Sequence, residues 1–421
     1  MERPYLTDED RAMLAREHGR AVASAMRIVV NLAQILGARE LVTIRSAHID
    51  GCLYHGDSGV HFAEHMASGG ARVTVPTSLN VGALDLGRPA IARLNEHQAG
   101  MARRMANAYV AMGCKPTWTC APYQAGHRPA LGEDVAWGES NAVAFANSVL
   151  GARTNRYGDF LDLCAALTGR APRVGLHLPE ARLATILVDT TSLPASFLRS
   201  DVAFPIMGHW LGRNVGAAVA AFSGLGHPTE DRLKALGAAA ASSGSVGLFH
   251  VVGTTPEAPT LEDAFGGRAP QRTVHLDMGM LASARGSMST AALTADLPID
   301  AVATGSPHLS ADELRSLGAL LGDRHCRVPI YACTSRHSLA IIAAQGLLER
   351  LEALGVVLVA DTCIVVTPIL PLKHGVLVTN SGKFAHYTPS NTGYDVVFAS
   401  LEDCVESAVR GRLVLSDDPW Q

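Results

Sequence analysis

Three of the eight cysteines stand where a metal or a cluster could be bound. Cys333 and Cys363 each follow an apolar run that predicts a strand, at residues 328–332 and 356–360. Thirty residues separate these thiols, about one βαβ period, so a right-handed crossover would bring both to the same edge of a parallel sheet. Cys120 lies in a loop rich in Thr and Pro, which suits a thiolate facing a cleft better than a core helix. The three form a candidate ligand set for an iron-sulfur cluster, with inert thiols as the alternative.

The other cysteines carry weaker signals. Cys164 and Cys404 lie in apolar stretches that predict helices, where a thiol is most simply a core residue. Eight cysteines without clustered spacing fit free thiols or a metal site in a reducing cytosol better than a disulfide framework. We therefore expect a cytoplasmic protein.

Polar residues follow two of the other predicted strands. The loop at residues 46–51 follows a strand predicted at 41–44 and contains His48. A second loop follows a strand predicted at residues 73–75, and its polar members are Thr77, Ser78 and Asn80. Polar groups at strand ends suit the binding of a small substrate.

Two basic segments could bind an anion. Arg153 and Arg156 offer planar guanidinium groups that match a carboxylate or a phosphate, and Lys383 lies in a Ser-Gly-Lys turn typical of an anion-binding helix N-terminus. A surface ion pair for the arginines and a solvated turn for Lys383 are the alternatives. The glycine-rich signatures of nucleotide binding do not occur in the sequence.

A competing metal motif lies at residues 61–65. His61, Glu64 and His65 match the H-x-x-E-H pattern of inverted zinc peptidases, with two imidazoles on one helical face beside a glutamate. The chain has 17 histidines, so a chance pair at this spacing is unsurprising, and an exposed polar helix face is the simpler interpretation.

The elements that must position these residues alternate between strand-like and helical segments. This alternation predicts an α/β fold with largely parallel sheets. We expect a helix at residues 7–36, and a capping box of Ser310 and Glu313 predicts another helix that begins there. The clearest strands are expected at residues 41–44, 73–75, 246–252, 301–303, 328–332, 356–360 and 375–379.

The length of 421 residues predicts two to three domains. We expect an N-terminal α/β region of more than one subdomain at residues 1–235, a middle α/β segment at 236–300, and a C-terminal α/β domain at 301–421 that contains Cys333 and Cys363. A stretch rich in Gly, Ala and Ser near residues 236–245 is the best candidate for a junction.

Composition excludes several classes of partner. The formal net charge is −4, which supplies no basic field for nucleic acid or an anionic membrane. The first ten residues are polar and acidic, unlike a secretory signal, and no apolar stretch is credible as a membrane span.

Eight short segments together resemble the large, catalytic subunit of the aconitase X family, a branch of the aconitase superfamily. The segments cover nearly the whole chain and are SAHIDG at 46–51, VPTSLN at 75–80, TCAPY at 119–123, WGESNA at 137–142, GARTNR at 151–156, CTSR at 333–336, DTC at 361–363 and SGK at 381–383. The family includes cis-3-hydroxy-L-proline dehydratases and mevalonate 5-phosphate dehydratases. The resemblance implies aconitase-like three-layer α/β/α domains.

The resemblance also implies a mechanism. Cys120, Cys333 and Cys363 would bind the iron-sulfur cluster, whose nuclearity the sequence does not specify. The substrate would be oriented by Thr77, Ser78, Asn80, Arg153 and Lys383. Proton transfer would fall to His48 or to a partner.

Substrate and partner follow from the same resemblance. The loop forms look more like the bacterial hydroxyproline enzymes than the archaeal mevalonate enzymes, so cis-3-hydroxy-L-proline is the expected substrate and mevalonate 5-phosphate the alternative. A non-catalytic metal-binding subunit and a zinc peptidase are remoter alternatives. We find no segment resembling the swivelling domain of aconitases, and a separate small subunit that carries this domain is therefore the expected partner.

Overall fold

A computed structural model of the protein describes residues 3–294 and 296–416, which form three units, each built around at least one sheet. The described residues leave out residues 1–2 of the expected first region, residue 295 of the middle region and residues 417–421 of the third region. No helix within the two described ranges is long and apolar enough to cross a membrane.

The first unit contains two small sheets covered by helices. Its helices are α1 (Asp8–Leu14), α2 (Arg20–Ile35), α3 (Asp57–Ser68), α4 (Glu96–Ala111), α5 (Ser140–Phe145) and α6 (Leu161–Thr168). Its strands are β1 (Leu41–Thr43), β2 (Ala47–Ile49), β3 (Thr77–Leu79), β4 (Ala136–Trp137) and β5 (Arg170–Pro172). Strands β3, β2 and β4 form a parallel sheet in that order, and β1 pairs with β5 in antiparallel fashion.

The second unit is a four-stranded parallel sheet with helices on both faces. Its helices are α7 (Ala195–Arg199), α8 (Ala203–Val215), α9 (Glu230–Ser243), α10 (Leu261–Phe265) and α11 (Met278–Gly286). Its strands are β6 (Ile186–Asp189), β7 (Ala220–Ser223), β8 (Phe249–Val251) and β9 (Arg272–His275), in the order β8-β7-β6-β9. Helix α9 runs through residues 235 and 236, where we expected a junction, and packs against α5, α8 and the helix at Gly382–Thr392. Its small side chains permit these close approaches.

The third unit is a five-stranded parallel sheet in the order β12-β11-β10-β13-β14. Its strands are β10 (Ala301–Leu309), β11 (Ile330–Thr334), β12 (Val356–Ala360), β13 (Gly375–Thr379) and β14 (Tyr394–Phe398). Its helices are α12 (Ala311–Leu321), α13 (Arg336–Ala343), α14 (Leu347–Ala353), α15 (Gly382–Thr392) and α16 (Leu401–Arg410).

The third sheet is buried on both faces, which produces an α/β/α arrangement. Val302 of β10 packs in a core with Leu314 of α12 and Val405 of α16. The neighbouring Ala301 and Ala303 point the other way, into a core shared with Phe384 of α15 and with the second unit. The prediction of an α/β fold with largely parallel sheets is confirmed.

The local predictions were mostly confirmed. Residues 356–360 and 375–379 coincide with β12 and β13, and the capping box at Ser310 begins α12. The helix expected at residues 7–36 is two helices, because the chain turns at Gly19, whose φ is +92°. The strand expected at residues 73–75 is wrong.

The strand that precedes the Asn80 loop is β3 instead. Val73 and Thr74 donate their backbone N–H groups to Met112 and Ala166, in or beside α4 and α6, so they are not available to a sheet. Within the described residues, seven other strands were not predicted: β2, β4, β5, β6, β7, β9 and β14.

Candidate active site

Three buried thiols converge from separate parts of the chain. Cys333 is the fourth residue of β11, and Cys363 follows the end of β12, the parallel neighbour of β11. Cys120 comes from the first unit, and its Sγ accepts a hydrogen bond of 3.3 Å from the backbone N–H of His308 in β10. The side chains of all three are buried, and the thiols interact electrostatically with one another.

Burial strongly disfavours the thiolate form of these cysteines. It raises the pKa of Cys120 to about 12, the pKa of Cys333 well above the usual thiol value, and the pKa of Cys363 above that value. Negative charge on one thiolate also opposes ionisation of the next thiol. A positive metal centre reverses this balance, because a coordinated thiol is deprotonated outright. Three thiolates form a soft donor set of the kind that binds iron-sulfur clusters, in which each thiolate can bind a different iron.

His308 links strand β10 to the two loops that contain Cys120 and Cys363. Its Nδ1 accepts from Thr119 Oγ1 at 3.0 Å, and its Nε2 donates to the carbonyl of Thr362 at 3.1 Å. Burial lowers the pKa of His308 to about 4, so the ring is neutral near pH 7 and keeps one donor and one acceptor. One side chain thus fixes the residues immediately before Cys120 and Cys363.

The close approach of β10 to β11 depends on Gly305. Its φ is +94°, in the left-handed region, and a Cβ at this position would overlap the carbonyl oxygen of Cys333. The register between β10 and β11 shifts between Thr304 and Leu309, on either side of this glycine. Only glycine allows the backbone to run this close to Cys333.

A cleft of about 520 Å³ opens beside the cysteines, between the first and third units. Cys120 and Cys363 line it together with hydrophobic residues and Ser306. The charged and amide-bearing residues that line the cleft are Asp50, Asn80, Glu139, Arg156, Lys383 and Asn391. The cleft thus combines a thiol-lined region with groups of both charges.

Asp50 and Asn80 form a hydrogen-bonded pair at one side of the cleft. Asp50 follows β2 and Asn80 follows β3, the parallel neighbour of β2, so both lie at the same sheet edge. Asn80 Nδ2 donates to Asp50 Oδ1 at 2.5 Å. Burial and the nearby Glu139 carboxylate raise the pKa of Asp50 to about 6.

Glu139 and Lys383 form a buried ion pair across the two units. Glu139 caps α5 through Ala142, whose N–H lies 2.6 Å from Oε2, and Lys383 lies in the first turn of α15. Burial alone would raise the pKa of Glu139, but the Lys383 ammonium holds it below its usual value, and the pKa of Lys383 is correspondingly raised. Lys383 is therefore a cation largely neutralised by its partner.

Arg156 is a cation of a different kind. It is exposed in the cleft, and its guanidinium makes no hydrogen bond or ion pair with the part of the chain that the structure describes. A planar guanidinium without a partner can bind a carboxylate through two parallel N–H groups.

The structure brings some of the predicted residues to the cleft and not others. Cys120, Cys363, Asn80 and Lys383 line it, and Cys333 lies behind Cys363. Arg153 does not line it, and its buried Nε has no hydrogen-bond partner in the described chain.

Thr77, Ser78 and His48 lie within the first unit, behind the cleft surface. Thr77 Oγ1 donates to the carbonyl of Val75, and Ser78 Oγ lies 2.8 Å from His48 Nδ1. Burial lowers the pKa of His48 to about 3. Such a histidine, fully buried and away from the cleft, is poorly placed to exchange a proton with a substrate.

The zinc-peptidase motif at residues 61–65 and the core cysteine Cys164 lie outside the cleft. His61 and His65 are exposed on α3, and Glu64 pairs with Arg104 of α4, as expected of a solvated helix face. Cys164 lies inside a hydrophobic core of the first unit.

Sequence reasoning missed Asp50, Glu139, Gly305 and His308. Asp50 and Glu139 lie within the segments SAHIDG and WGESNA. In the segment GARTNR, both arginines are candidates for binding an anion, but the assignment to substrate went to Arg153. A correct prediction of β2 from the sequence would have made Asp50 a candidate site residue, because it is the first residue after that strand.

Fold and site together define an α/β protein of three sheet-bearing units with a cysteine-lined cleft between the first and third. Models of the aconitase X first, second and third domains match residues 3–180, 184–286 and 299–410. The chain belongs to the aconitase X family.

Individual relatives cover almost all of the chain. It is 46% identical to a cis-3-hydroxy-L-proline dehydratase of Pseudomonas aeruginosa over 99% of this chain and 72% of that protein. It is 39% identical to a phosphomevalonate dehydratase large subunit of Methanothermobacter thermautotrophicus over 94% of this chain and 96% of the relative. The crystal structure of Thermococcus kodakaraensis aconitase X in its holo-form superposes with a TM-score of 0.85 at 33% identity, covering 96% of this chain and all of that one. The expected aconitase-like fold is confirmed.

Proposed function

We propose that the protein is an iron-sulfur-dependent hydro-lyase that dehydrates cis-3-hydroxy-L-proline to 1-pyrroline-2-carboxylate. The observation that carries the proposal is the meeting of three buried thiols, Cys120, Cys333 and Cys363, beside a polar cleft. The 46% identity to a cis-3-hydroxy-L-proline dehydratase, over nearly the whole chain, supports the choice of reaction.

The three cysteines fit the cluster that aconitase-type dehydratases use. They supply soft thiolate donors, and their mutual repulsion in a buried site requires a compensating positive charge. A cluster with an open iron position supplies a Lewis acid that helps the hydroxyl group leave.

The polar residues of the cleft would bind and orient the substrate. Arg156 is free to bind the carboxylate. Lys383, which is paired with Glu139 and lines the same cleft, adds positive potential. Positive charge near the carboxylate stabilises the negative charge that develops when the α-proton is removed. Loss of the hydroxyl group then leaves an enamine, which tautomerises to 1-pyrroline-2-carboxylate.

The other predicted residues would act at a distance. Ser78 and His48 support β2 and β3, and Thr77 is bonded within its own loop, so all three would position Asp50 and Asn80. Arg153 would support the segment that leads to Arg156. We assign removal of the α-proton to the partner subunit, since His48 lies away from the cleft.

Mevalonate 5-phosphate is the alternative substrate, supported by the 39% identity to a phosphomevalonate dehydratase large subunit. That substrate carries a phosphate as well as a carboxylate. Among the described residues that line the cleft, Arg156 is the one unpaired cation, while Lys383 is paired with Glu139. This charge distribution favours the hydroxyproline reaction.

A small subunit with a swivelling domain is proposed to complete the site. This chain covers 96% of a relative that is named a large subunit, but 72% of the Pseudomonas dehydratase. The cleft is open at its outer side, where Arg156 and His55 are exposed. We also propose a cytoplasmic location, since all eight cysteines are free and would stay reduced there.

The proposal is tested by anaerobic co-purification with the candidate small subunit. We expect a visible chromophore, bound iron and sulfide, and dehydration of cis-3-hydroxy-L-proline in preference to mevalonate 5-phosphate. Cys120→Ser, Cys333→Ser and Cys363→Ser should each lose the chromophore. Cys164→Ser is the matched control, because this buried cysteine lies in a core of the first unit and should leave the chromophore intact.

Two results would contradict the proposal. One is a protein that binds no iron under these conditions while its circular dichroism shows a native fold. The other is a protein that contains the cluster and the partner but dehydrates neither compound.

A further inference from the structure

The Asp50 and Asn80 pair leaves two hydrogen-bond acceptors without protein donors. Asn80 Nδ2 is used by Asp50 Oδ1, and the second carboxylate oxygen of Asp50 has no hydrogen bond within residues 3–294 and 296–416. Asn80 Oδ1 is buried and also lacks a partner in that part of the chain. The two residues that carry these acceptors, Asp50 and Asn80, both line the cleft.

An unsatisfied acceptor of this kind is costly. Asn80 is 3% exposed, so its amide oxygen is not freely solvated, and a donor to it must come from within the cleft that Asn80 lines. Buried polar groups nearly always have partners, and the exceptions require an explanation. A ligand that donates two adjacent N–H groups would satisfy both oxygens.

The opposite charge in the cleft belongs to Arg156, an exposed guanidinium with no protein partner among the described residues. The cleft thus presents a pair of acceptors that includes a carboxylate, and separately an unpaired cation. This combination is complementary to a small zwitterion that has one ammonium and one carboxylate group.

We propose that Asp50 and Asn80 recognise the secondary ammonium group of an α-amino acid, while Arg156 binds its carboxylate. The identity of the reaction rests on the proposed function above, and the ammonium site adds the residues that select the substrate class. A secondary ammonium has two N–H donors, which match Asp50 Oδ2 and Asn80 Oδ1. Charge-assisted hydrogen bonds of this type are among the stronger polar contacts.

The same arrangement rejects a phosphorylated hydroxy acid. Such a compound has no ammonium group, so Asn80 Oδ1 would stay unpaired, and its anionic groups would lie near the Asp50 carboxylate. Both effects lower its affinity relative to an amino acid. Asp50 is therefore a specificity-determining residue, distinct from the thiols that would bind the cluster.

The test uses two ligands that differ only at the ring nitrogen. L-proline has the ammonium and the carboxylate, and cyclopentanecarboxylate has the carboxylate alone. Binding is measured by calorimetry on the complex of cluster-loaded large subunit and small subunit, which avoids dependence on turnover.

We expect the unmodified complex to bind L-proline more tightly than cyclopentanecarboxylate. Asp50→Asn should weaken L-proline by about 10- to 100-fold, the range for a hydrogen bond to a charged group, and change cyclopentanecarboxylate by less than about threefold. The Asn side chain still accepts from Asn80 Nδ2, so the variant should fold. Asn80→Ser, which removes the orphan acceptor, should weaken L-proline in the same selective way, by about 3- to 10-fold.

Two further variants separate this explanation from general effects of charge. Arg156→Gln should weaken both ligands. Asp159→Asn removes a nearby exposed carboxylate that interacts electrostatically with Asp50 but does not line the cleft, and it should leave both affinities nearly unchanged.

The inference is overturned if Asp50→Asn weakens both ligands equally or weakens neither. It is also overturned if Asp50→Asn abolishes turnover while the affinity for L-proline is unchanged, since Asp50 would then act as a proton acceptor. Turnover of cis-3-hydroxy-L-proline is measured separately. If the complex binds L-proline through Asp50 but dehydrates nothing, the ammonium site is supported and the proposed reaction is refuted.

Discussion

Replacing Gly305 with alanine should separate the strand that carries Cys333 from its neighbour. A Cβ on residue 305 would overlap the Cys333 carbonyl oxygen and lie 2.9 Å from its carbonyl carbon. Carbon atoms pack at about 3.5–4.0 Å, so the backbone at Cys333 must retreat by at least about 0.6 Å. Metal–ligand distances tolerate about 0.2 Å, so we expect loss of the cluster.

The cost to stability has two parts. The φ of +94° imposes strain of about 1–2 kcal/mol on a residue with a side chain, and overpacking typically adds about 1–3 kcal/mol. The variant should therefore lose about 2–5 kcal/mol. Gly346→Ala is the matched control in the same unit, because its φ is +69° and nothing lies within 4 Å of the added Cβ. It should show the strain alone and retain the cluster.

The assay combines iron content, visible absorbance and the urea midpoint followed by circular dichroism. Gly305→Ala should fold, lose iron and unfold at lower urea than Gly346→Ala. If the two variants have equal iron content and equal midpoints, the close approach of β10 to Cys333 does not limit this site, and the reasoning is wrong.

Three further perturbations test other parts of the site. His308→Phe removes the hydrogen bonds to Thr119 and Thr362, and should lower the free energy of unfolding by about 1–3 kcal/mol in urea titrations; an unchanged value would refute its linking role. Lys383→Met leaves Glu139 as a buried unpaired carboxylate and should lower the free energy of unfolding by about 3–5 kcal/mol. Adding Glu139→Gln should restore much of the urea midpoint, and no recovery would contradict a buried ion pair. Burial, Glu139 and Asp159 raise the pKa of Asp50 to about 6, although Asn80 and Lys383 oppose this shift. Because Asp50 becomes protonated below that pH, kcat/KM for cis-3-hydroxy-L-proline should fall as the pH drops below about 6, and Asp50→Asn should abolish this fall. A fall that persists in the variant belongs to another group.

Local pattern was enough to place two of the three thiols. The apolar runs before Cys333 and Cys363, and a connection of one βαβ length, predict neighbouring parallel strands, and β11 and β12 are such a pair. These features depend on residues close together in sequence and on the handedness of the crossover. Their role as cluster ligands remains our proposal.

Short strands defeated the same reasoning. Strand β2 is three residues long, and its alanine and histidine do not form an apolar run, so Asp50 had no visible anchor in the sequence. Likewise His308 is recognisable as a linking residue only when the loops of Thr119 and Thr362 are seen on either side of it.

The sequence by itself determined the α/β class, the parallel strands beside Cys333 and Cys363, and membership of a family through its motifs. The sequence also predicted Cys120 as the third thiol of the set. Only the tertiary structure decided that Arg156 rather than Arg153 lines the cleft, and that Asp50 rather than His48 does so. The physical reason is that strands and caps arise from neighbouring residues. Which of two nearby side chains faces a cleft depends on packing between units that are distant in the chain.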